Sequence, residues 1–276
     1  MIMAGLIFVD NVSMTFGGPD GRFTVKALDR VSLDIHQGEL FSLIGPSGCG
    51  KSTLLSIMGG LARASEGEVR MGAEVITKPL HKKVAMVFQQ YTLLPWRTIL
   101  ENVEIGLEFQ GMDKNQRREI AFEKLDIVGL SQFSHFYPRQ LSGGMRQRVA
   151  IARALSVNPE ILLMDEPFGA LDEQTRTVLG EELMRILERT RKTIVFVTHS
   201  IVEAVYLSDR IAVMTARPGR IKMILDIELP HPREGKMMTS DGFNHYRNLI
   251  FGALHEESLK VAAQSLGTTQ ELSSEG

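Results

Sequence analysis

The chain has 276 residues, 43% of them apolar and 23% charged, enough to bury a sizeable core as one domain or as one domain with an inserted lobe. Its 31 lysines and arginines nearly balance 33 aspartates and glutamates, so it lacks the basic excess that follows a phosphate backbone or an anionic bilayer, and nucleic acid is not an expected partner. No apolar run approaches the roughly 20 residues of a membrane-spanning helix, Met1 to Asp10 lack the marks of a signal peptide, and the single cysteine, Cys49, permits no internal disulfide; the expected location is the cytoplasm.

Strand-like runs occur at Leu6 to Val9, Val31 to Ile35, Leu40 to Ile44, Val84 to Phe88, Ile161 to Met164, Ile194 to Val197 and Ile211 to Met214. Several are almost wholly apolar, as central parallel strands covered on both faces should be. Helical patterns alternate with them, which predicts an α/β domain around a largely parallel sheet. Residues 98–157 break the rhythm with three helical patterns, Ile99 to Phe109, Gln116 to Val128 and Gly144 to Val157, and no strand between them. They read as an inserted helical lobe. Residues 263–276 are small and polar, the composition of a frayed tail.

The segment Gly45-Pro46-Ser47-Gly48-Cys49-Gly50-Lys51-Ser52 matches G-x-x-x-x-G-K-[ST], directly after the apolar strand at Leu40 to Ile44 and before a helical run. Glycines let successive backbone N–H groups turn into one concavity, and the following helix adds the positive end of its dipole, which makes a nest for polyphosphate. Lys51 adds a mobile cation for the β and γ phosphates, and the Ser52 hydroxyl is placed to ligate the bridging Mg²⁺. Thr53 follows at the helix start. Cys49, so close to a helix N-terminus and to Lys51, is expected to have a lowered thiol pKa and to line the site.

The run Ile161 to Met164 ends in two adjacent acids, Asp165 and Glu166, and strand ends of open α/β sheets are where ligands bind. Asp165 suits Mg²⁺, directly or through water. Glu166 suits the proton of an attacking water. A second glycine cluster, Leu141-Ser142-Gly143-Gly144-Met145-Arg146-Gln147-Arg148, opens a helix with Ser142 at the N-cap position and free N–H groups at Gly143 and Gly144, a second anion site whose occupant the residues alone do not name.

With these segments in this order, the sequence resembles the ABC ATPase family from about Leu6 to Pro232. That family's signature reads LSGGQ; here Met145 stands at the fifth position with Gln147 two residues on. The resemblance implies a P-loop NTPase (RecA-like) core with an antiparallel β subdomain and an inserted helical subdomain. It implies ATP and Mg²⁺ as cofactors and ATP hydrolysis as the activity. Gln89 resembles the glutamine that touches Mg²⁺ or the attacking water, His199 the switch histidine at the γ-phosphate, Ala170-Leu171-Asp172 the loop that packs across the dimer, and Phe16 the aromatic residue that stacks on adenine. In the family the signature of one subunit closes over the γ-phosphate held by its twin.

The implied partners are a second copy or a homologous ATPase, integral membrane permease subunits and, indirectly, a solute-binding protein; the chain would lie peripherally on the inner membrane face through the permease. Leu93-Leu94-Pro95-Trp96-Arg97, Ala216-Arg217-Pro218-Gly219-Arg220 and Leu229-Pro230-His231-Pro232-Arg233 look like importer ATPases for nitrate, sulfonate and taurine. The Leu94 to Trp96 stretch reads either as part of a groove for a permease helix or as plain core. The expected layout is a nucleotide-binding domain at 1–235 and a C-terminal helical extension with a flexible tail at 236–276. Three other readings stay in view: a soluble ABC clamp, disfavoured by the single P-loop and the compact insertion; a small-molecule kinase, which has no use for the second glycine cluster; and a nucleotide scaffold without turnover, against which Glu166 argues.

Overall fold

The computed structural model describes residues 5–17, 23–169, 173–190 and 192–273. Two sheets form the frame. One has six strands in the order β10-β9-β3-β8-β7-β6, comprising β3 (Leu40–Ile44), β6 (Val84–Val87), β7 (Ile161–Asp165), β8 (Thr193–Thr198), β9 (Arg210–Met214) and β10 (Ile221–Asp226). Its strands pair in parallel except for β10, which runs antiparallel to β9 at the edge. The other is an antiparallel sheet in the order β2-β1-β4-β5, from β1 (Gly5–Gly17), β2 (Thr24–His36), β4 (Glu66–Met71) and β5 (Glu74–Val75).

Why the central strands carry apolar residues at most positions follows from the two-residue period of a strand. Leu40, Ile44, Leu162, Met164, Ile194, Phe196, Ile211 and Val213 face one core, shared with the helices. Their neighbours Phe41, Leu43, Ile161, Leu163, Val195, Val197, Ala212 and Met214 face a second core, closed by the antiparallel sheet and α1 (Lys51–Met58). Each strand is thus buried on both sides.

The inserted lobe consists of α2 (Ile99–Phe109), α3 (Lys114–Ile127) and α4 (Gly143–Ser156), close to the three helices the periodicity predicts. Thr98 and Glu101 cap α2 reciprocally, with Glu101 N–H donating to Thr98 Oγ1 at 3.2 Å and Thr98 N–H to Glu101 Oε2 at 2.8 Å. The buried Asn102 amide pins the preceding segment: its Oδ1 accepts from Leu94 N–H at 2.7 Å, and its Nδ2 lies within 3.1 Å of the carbonyls of Leu94, Arg97 and Thr98. Trp96 is left 71% exposed on this fixed segment. The plain-core reading of the Leu-Leu-Pro-Trp stretch therefore fails for Trp96.

Two further helices, α5 (Glu173–Thr190) and α6 (Ile201–Leu207), cover the six-stranded sheet, and α7 (Asp241–Ser273) ends the described chain. Phe243, Ile250 and Ala253 of α7 join the helix-side core. The helix continues past Ala263, where fraying is the sequence expectation; this segment carries good helix formers such as Leu266, Gln270 and Glu271.

Candidate functional site

The loop between β3 and α1 turns through left-handed backbone at Gly48 (φ 74°) and Gly50 (φ 100°). At Gly50 a Cβ would stand 2.6 Å from Leu28 Cδ2, so both conformation and space require glycine there. Lys51, the first residue of α1, is 5% exposed; its Nζ donates to the carbonyls of Gly45 at 2.8 Å and Pro46 at 3.1 Å, so the ammonium is stowed beneath the loop. Cys49 contradicts the sequence expectation. Its side chain is 1% exposed in the core between the sheets, and burial pushes the thiol pKa up, outweighing the lowering effect of the Lys51 charge.

Asp165 ends β7 and Glu166 follows it, in different environments. The Ser52 hydroxyl donates to Asp165 Oδ1 at 2.9 Å, joining the start of α1 to the end of β7. Burial, with Glu166 adding repulsion, raises the Asp165 pKa against the opposing Ser52 hydrogen bond and Lys51 charge. Glu166 takes a left-handed backbone (φ 44°), held by its N–H donating to Val197 O at 2.9 Å. A non-glycine residue in this region is strained, and such strain collects where a side chain has to be aimed. Here it turns Glu166 out of strand alternation, so that Oε2 lies 3.4 Å from Gln89 Nε2 and 3.3 Å from His199 Nδ1.

Positions 199 and 200 follow β8 directly. Ser200 caps α6 by accepting from Glu203 N–H at 3.3 Å, while Thr198 Oγ1 donates to Glu203 Oε2 at 2.6 Å and accepts from Ser200 N–H at 3.0 Å. These bonds fix the turn and leave the His199 ring half-exposed beside Glu166.

An open cleft of about 490 Å³ brings the pieces together, lined by Phe16, Val25, Ala27, Ser47, Gly48, Gly50, Lys51, Ser52, Thr53, Gln89, Glu166 and Arg217. Phe16, about half exposed, lines it, and the nearby Phe23 does not. Asp165 and His199 reach the cleft through their bonds to Ser52 and Glu166; Gly45, Pro46 and Cys49 supply the loop's backbone but not its lining. Ser142 and Gly143 lie elsewhere on the surface, at the start of α4, with Ser142 Oγ accepting from Met145 N–H at 3.3 Å. Gly144 is buried, and a Cβ there would come 3.2 Å from Thr175 Cγ2. The expected loop Ala170-Leu171-Asp172 lies outside the described residues.

Val25, Ala27 and Arg217 are lining residues that motif reasoning misses. Val25 and Ala27 belong to a strand longer than its apolar run, and Arg217 sits in a turn before β10, which has no strong strand signal. Among the described residues, no group of three or more His, Cys, Asp or Glu side chains is gathered to hold a metal. Ser52 and Asp165 are hard oxygen donors of the kind Mg²⁺ accepts when phosphates and water complete its shell, and Gln89 adds an amide oxygen; the residues present fit that ion.

A nested anion loop, a paired serine and aspartate, and a strained glutamate bracketed by glutamine and histidine are brought together at this cleft. Residues 28–169 match the family model described as ABC transporter. The chain belongs to the ABC transporter ATPase family. Among its relatives, an uncharacterized ABC transporter ATP-binding protein of Methanocaldococcus jannaschii is 52% identical over 91% of this chain and 92% of its own length. An aliphatic sulfonates import ATP-binding protein of Bacillus cereus is 43% identical over 92% of this chain and 99% of its own. A taurine import ATP-binding protein of Rhizobium johnstonii is 46% identical over 81% and 84%.

A solved ABC cassette, described as the dimeric structure of a post-hydrolysis state bound to ADP and Pi, matches with a TM-score of 0.71 and 38% identity, covering 81% of this chain and all of that one. The protein is thus an ATP-binding and ATP-hydrolysing ABC subunit, and its mixed fold is that of a P-loop cassette. Among the described residues, no helix is long and apolar enough to cross a membrane.

Proposed function

We propose that this ATPase powers the import of a small oxyanion, of the sulfonate, taurine or nitrate class, through a partner permease fed by a solute-binding protein, from a place on the inner membrane face. The sulfonate- and taurine-import names of close relatives support the solute class. Residues 1–235 are taken as the nucleotide-binding unit and 236–276 as its C-terminal extension.

One observation supports this reading: the loop at Gly45 to Ser52 lines the cleft, while the second glycine cluster, at Ser142 and Gly143, lies on another part of the surface, and we take both as anion cradles. Two copies facing each other bring the second cradle of each over the cleft of the other. ATP is then held between Lys51 of one protomer and the Ser142–Gly144 helix start of its partner. Phe16 stacks on the base, and the N–H groups of the loop hold the phosphates. Mg²⁺, held by Ser52, Asp165 and Gln89, would neutralise charge between the phosphates.

Glu166 accepts the proton of the attacking water, which Gln89 helps to orient, and His199 contacts the γ-phosphate end of the site. Because the γ-phosphate contacts both cradles only in the closed pair, it favours closure, and its loss favours opening. The exposed Trp96 segment of the helical lobe passes this motion to the permease.

Mixing two inactive variants tests the shared site. Lys51→Ala disables the phosphate loop and Ser142→Arg blocks the second cradle, and each alone lacks turnover. A mixed dimer contains one site with both parts intact, so mixing restores hydrolysis. A mixture as inactive as its components contradicts the facing arrangement.

A further inference from the structure

The turn between β9 and β10, residues 215–220, is fastened from three directions. Gly219 donates its N–H to Ala27 O at 2.8 Å and accepts from Asp29 N–H at 3.0 Å, while the Arg220 guanidinium forks onto the buried Asp29 carboxylate, Nε to Oδ2 at 2.7 Å. Inside the turn, Thr215 Oγ1 donates to Pro218 O at 3.1 Å and accepts from Arg220 N–H at 3.0 Å. The third fastening comes from α7. Glu257, 2% exposed, accepts from Ala216 N–H on Oε2 at 3.0 Å, and from Lys222 Nζ at 3.0 Å and Lys260 Nζ at 2.6 Å on Oε1.

What this turn presents is Arg217. Its Nε donates to Gly48 O at 3.2 Å, Nη2 lies 3.0 Å from where a Cβ on Gly48 would stand, and the side chain lines the cleft. Gly219, two residues on, is bonded to Ala27, which lines the cleft with Phe16 and Val25, so the turn that bears Arg217 is anchored to the strand on that side while the guanidinium meets the loop at Gly48. A guanidinium offers a flat face to a base and a fork of N–H donors to ribose and phosphate oxygens.

We infer that Arg217 is a nucleotide-binding residue serving the adenosine end and α-phosphate of ATP, and that Glu257 is the positioning residue that aims it, so that the C-terminal helix sets nucleotide affinity. The inference rests on the reading that nucleotide occupies this cleft. It gives a role to α7, which holds the far side of a turn whose near side touches the phosphate loop. Because the adenosine end is common to substrate and product, the contact is common to ATP and ADP.

Binding of fluorescent ATP and ADP analogues, with steady-state hydrolysis alongside, tests this on the full chain. Arg217→Ala weakens both nucleotides about tenfold, as loss of a charge-assisted contact does, and the loss falls on KM more than on kcat. Glu257→Gln weakens both in the same sense, and Arg217→Ala with Glu257→Gln is no weaker than Arg217→Ala alone, because the second change acts only through the first. Should Glu257→Gln fail to fold, Glu257→Asp serves: it keeps the charge for the two lysines and withdraws the carboxylate from Ala216.

Wild-type affinity in Arg217→Ala, or a loss confined to ATP, overturns the assignment of Arg217. Losses that multiply in the double variant overturn the positioning role of Glu257. Lys51→Ala, run alongside, separates the inference from its foundation: full turnover in Lys51→Ala takes the nucleotide out of this cleft altogether, whereas a dead Lys51→Ala beside an unaffected Arg217→Ala defeats only the claim about Arg217.

Discussion

His199 Nδ1 stands 3.3 Å from Glu166 Oε2, joining the ends of two neighbouring parallel strands. In the proposed mechanism the histidine is thereby tied to the base as well as to the γ-phosphate end. His199→Ala is expected to lower kcat by about 10²-fold or more, the usual contribution of a positioned proton-transfer partner, with a small change in KM. Stopped-flow and steady-state phosphate release check this; a change confined to KM would assign His199 to ground-state binding only.

The bond from Ser52 to Asp165 at 2.9 Å holds side by side the two oxygens proposed to take Mg²⁺. Removing the hydroxyl in Ser52→Ala is expected to raise the Mg²⁺ concentration for half-maximal hydrolysis by about tenfold, the lower end of what loss of a supporting metal contact costs. The titration of activity against Mg²⁺ at saturating ATP reads it directly. An unchanged midpoint removes Ser52 from the metal.

The P-loop, the acid pair and the helical lobe are legible in the sequence because each depends on local spacing: a glycine pattern, a strand end, a 3.6-residue period. Cys49 is misread for the same reason. Proximity along the chain to Lys51 and a helix start suggests an activated thiol, but which way the side chain points is decided by the packing of Leu28, Met214 and the second sheet, which local pattern does not show. Arg217 escapes because the turn bearing it is assembled from Asp29, Ala27 and Glu257, partners tens to nearly 200 residues away in sequence. The antiparallel sheet is only half legible: β4, with its exposed Glu66 and Glu68, has no apolar run to announce it.

Burial of Cys49 makes two checkable statements. A bulky maleimide reacts slowly with the folded protein and quickly once it is denatured, with or without ATP. Because the thiol ionises at higher pH when folded than when unfolded, the unfolded state loses its proton first, and folding stability declines as pH rises through the ordinary thiol range toward the folded value. Rapid native-state labelling at pH 8 contradicts the burial.

Trp96 stands exposed on a segment fastened by Asn102. Trp96→Ala is expected to keep the nucleotide affinity of the isolated subunit and to lose co-purification with the permease from solubilised membranes, since a buried aromatic anchor at a partner surface commonly carries much of the binding energy. Retained co-purification moves the docking surface elsewhere on the lobe.

Facing protomers sharing each ATP is the central claim, and the mass of the Glu166→Gln protein in solution with Mg²⁺ and ATP, measured by light scattering, tests it most directly. Without a base the variant binds nucleotide and stalls, so the account predicts a dimer with ATP and a monomer with ADP. A stalled, ATP-loaded Glu166→Gln protein that stays monomeric would contradict it.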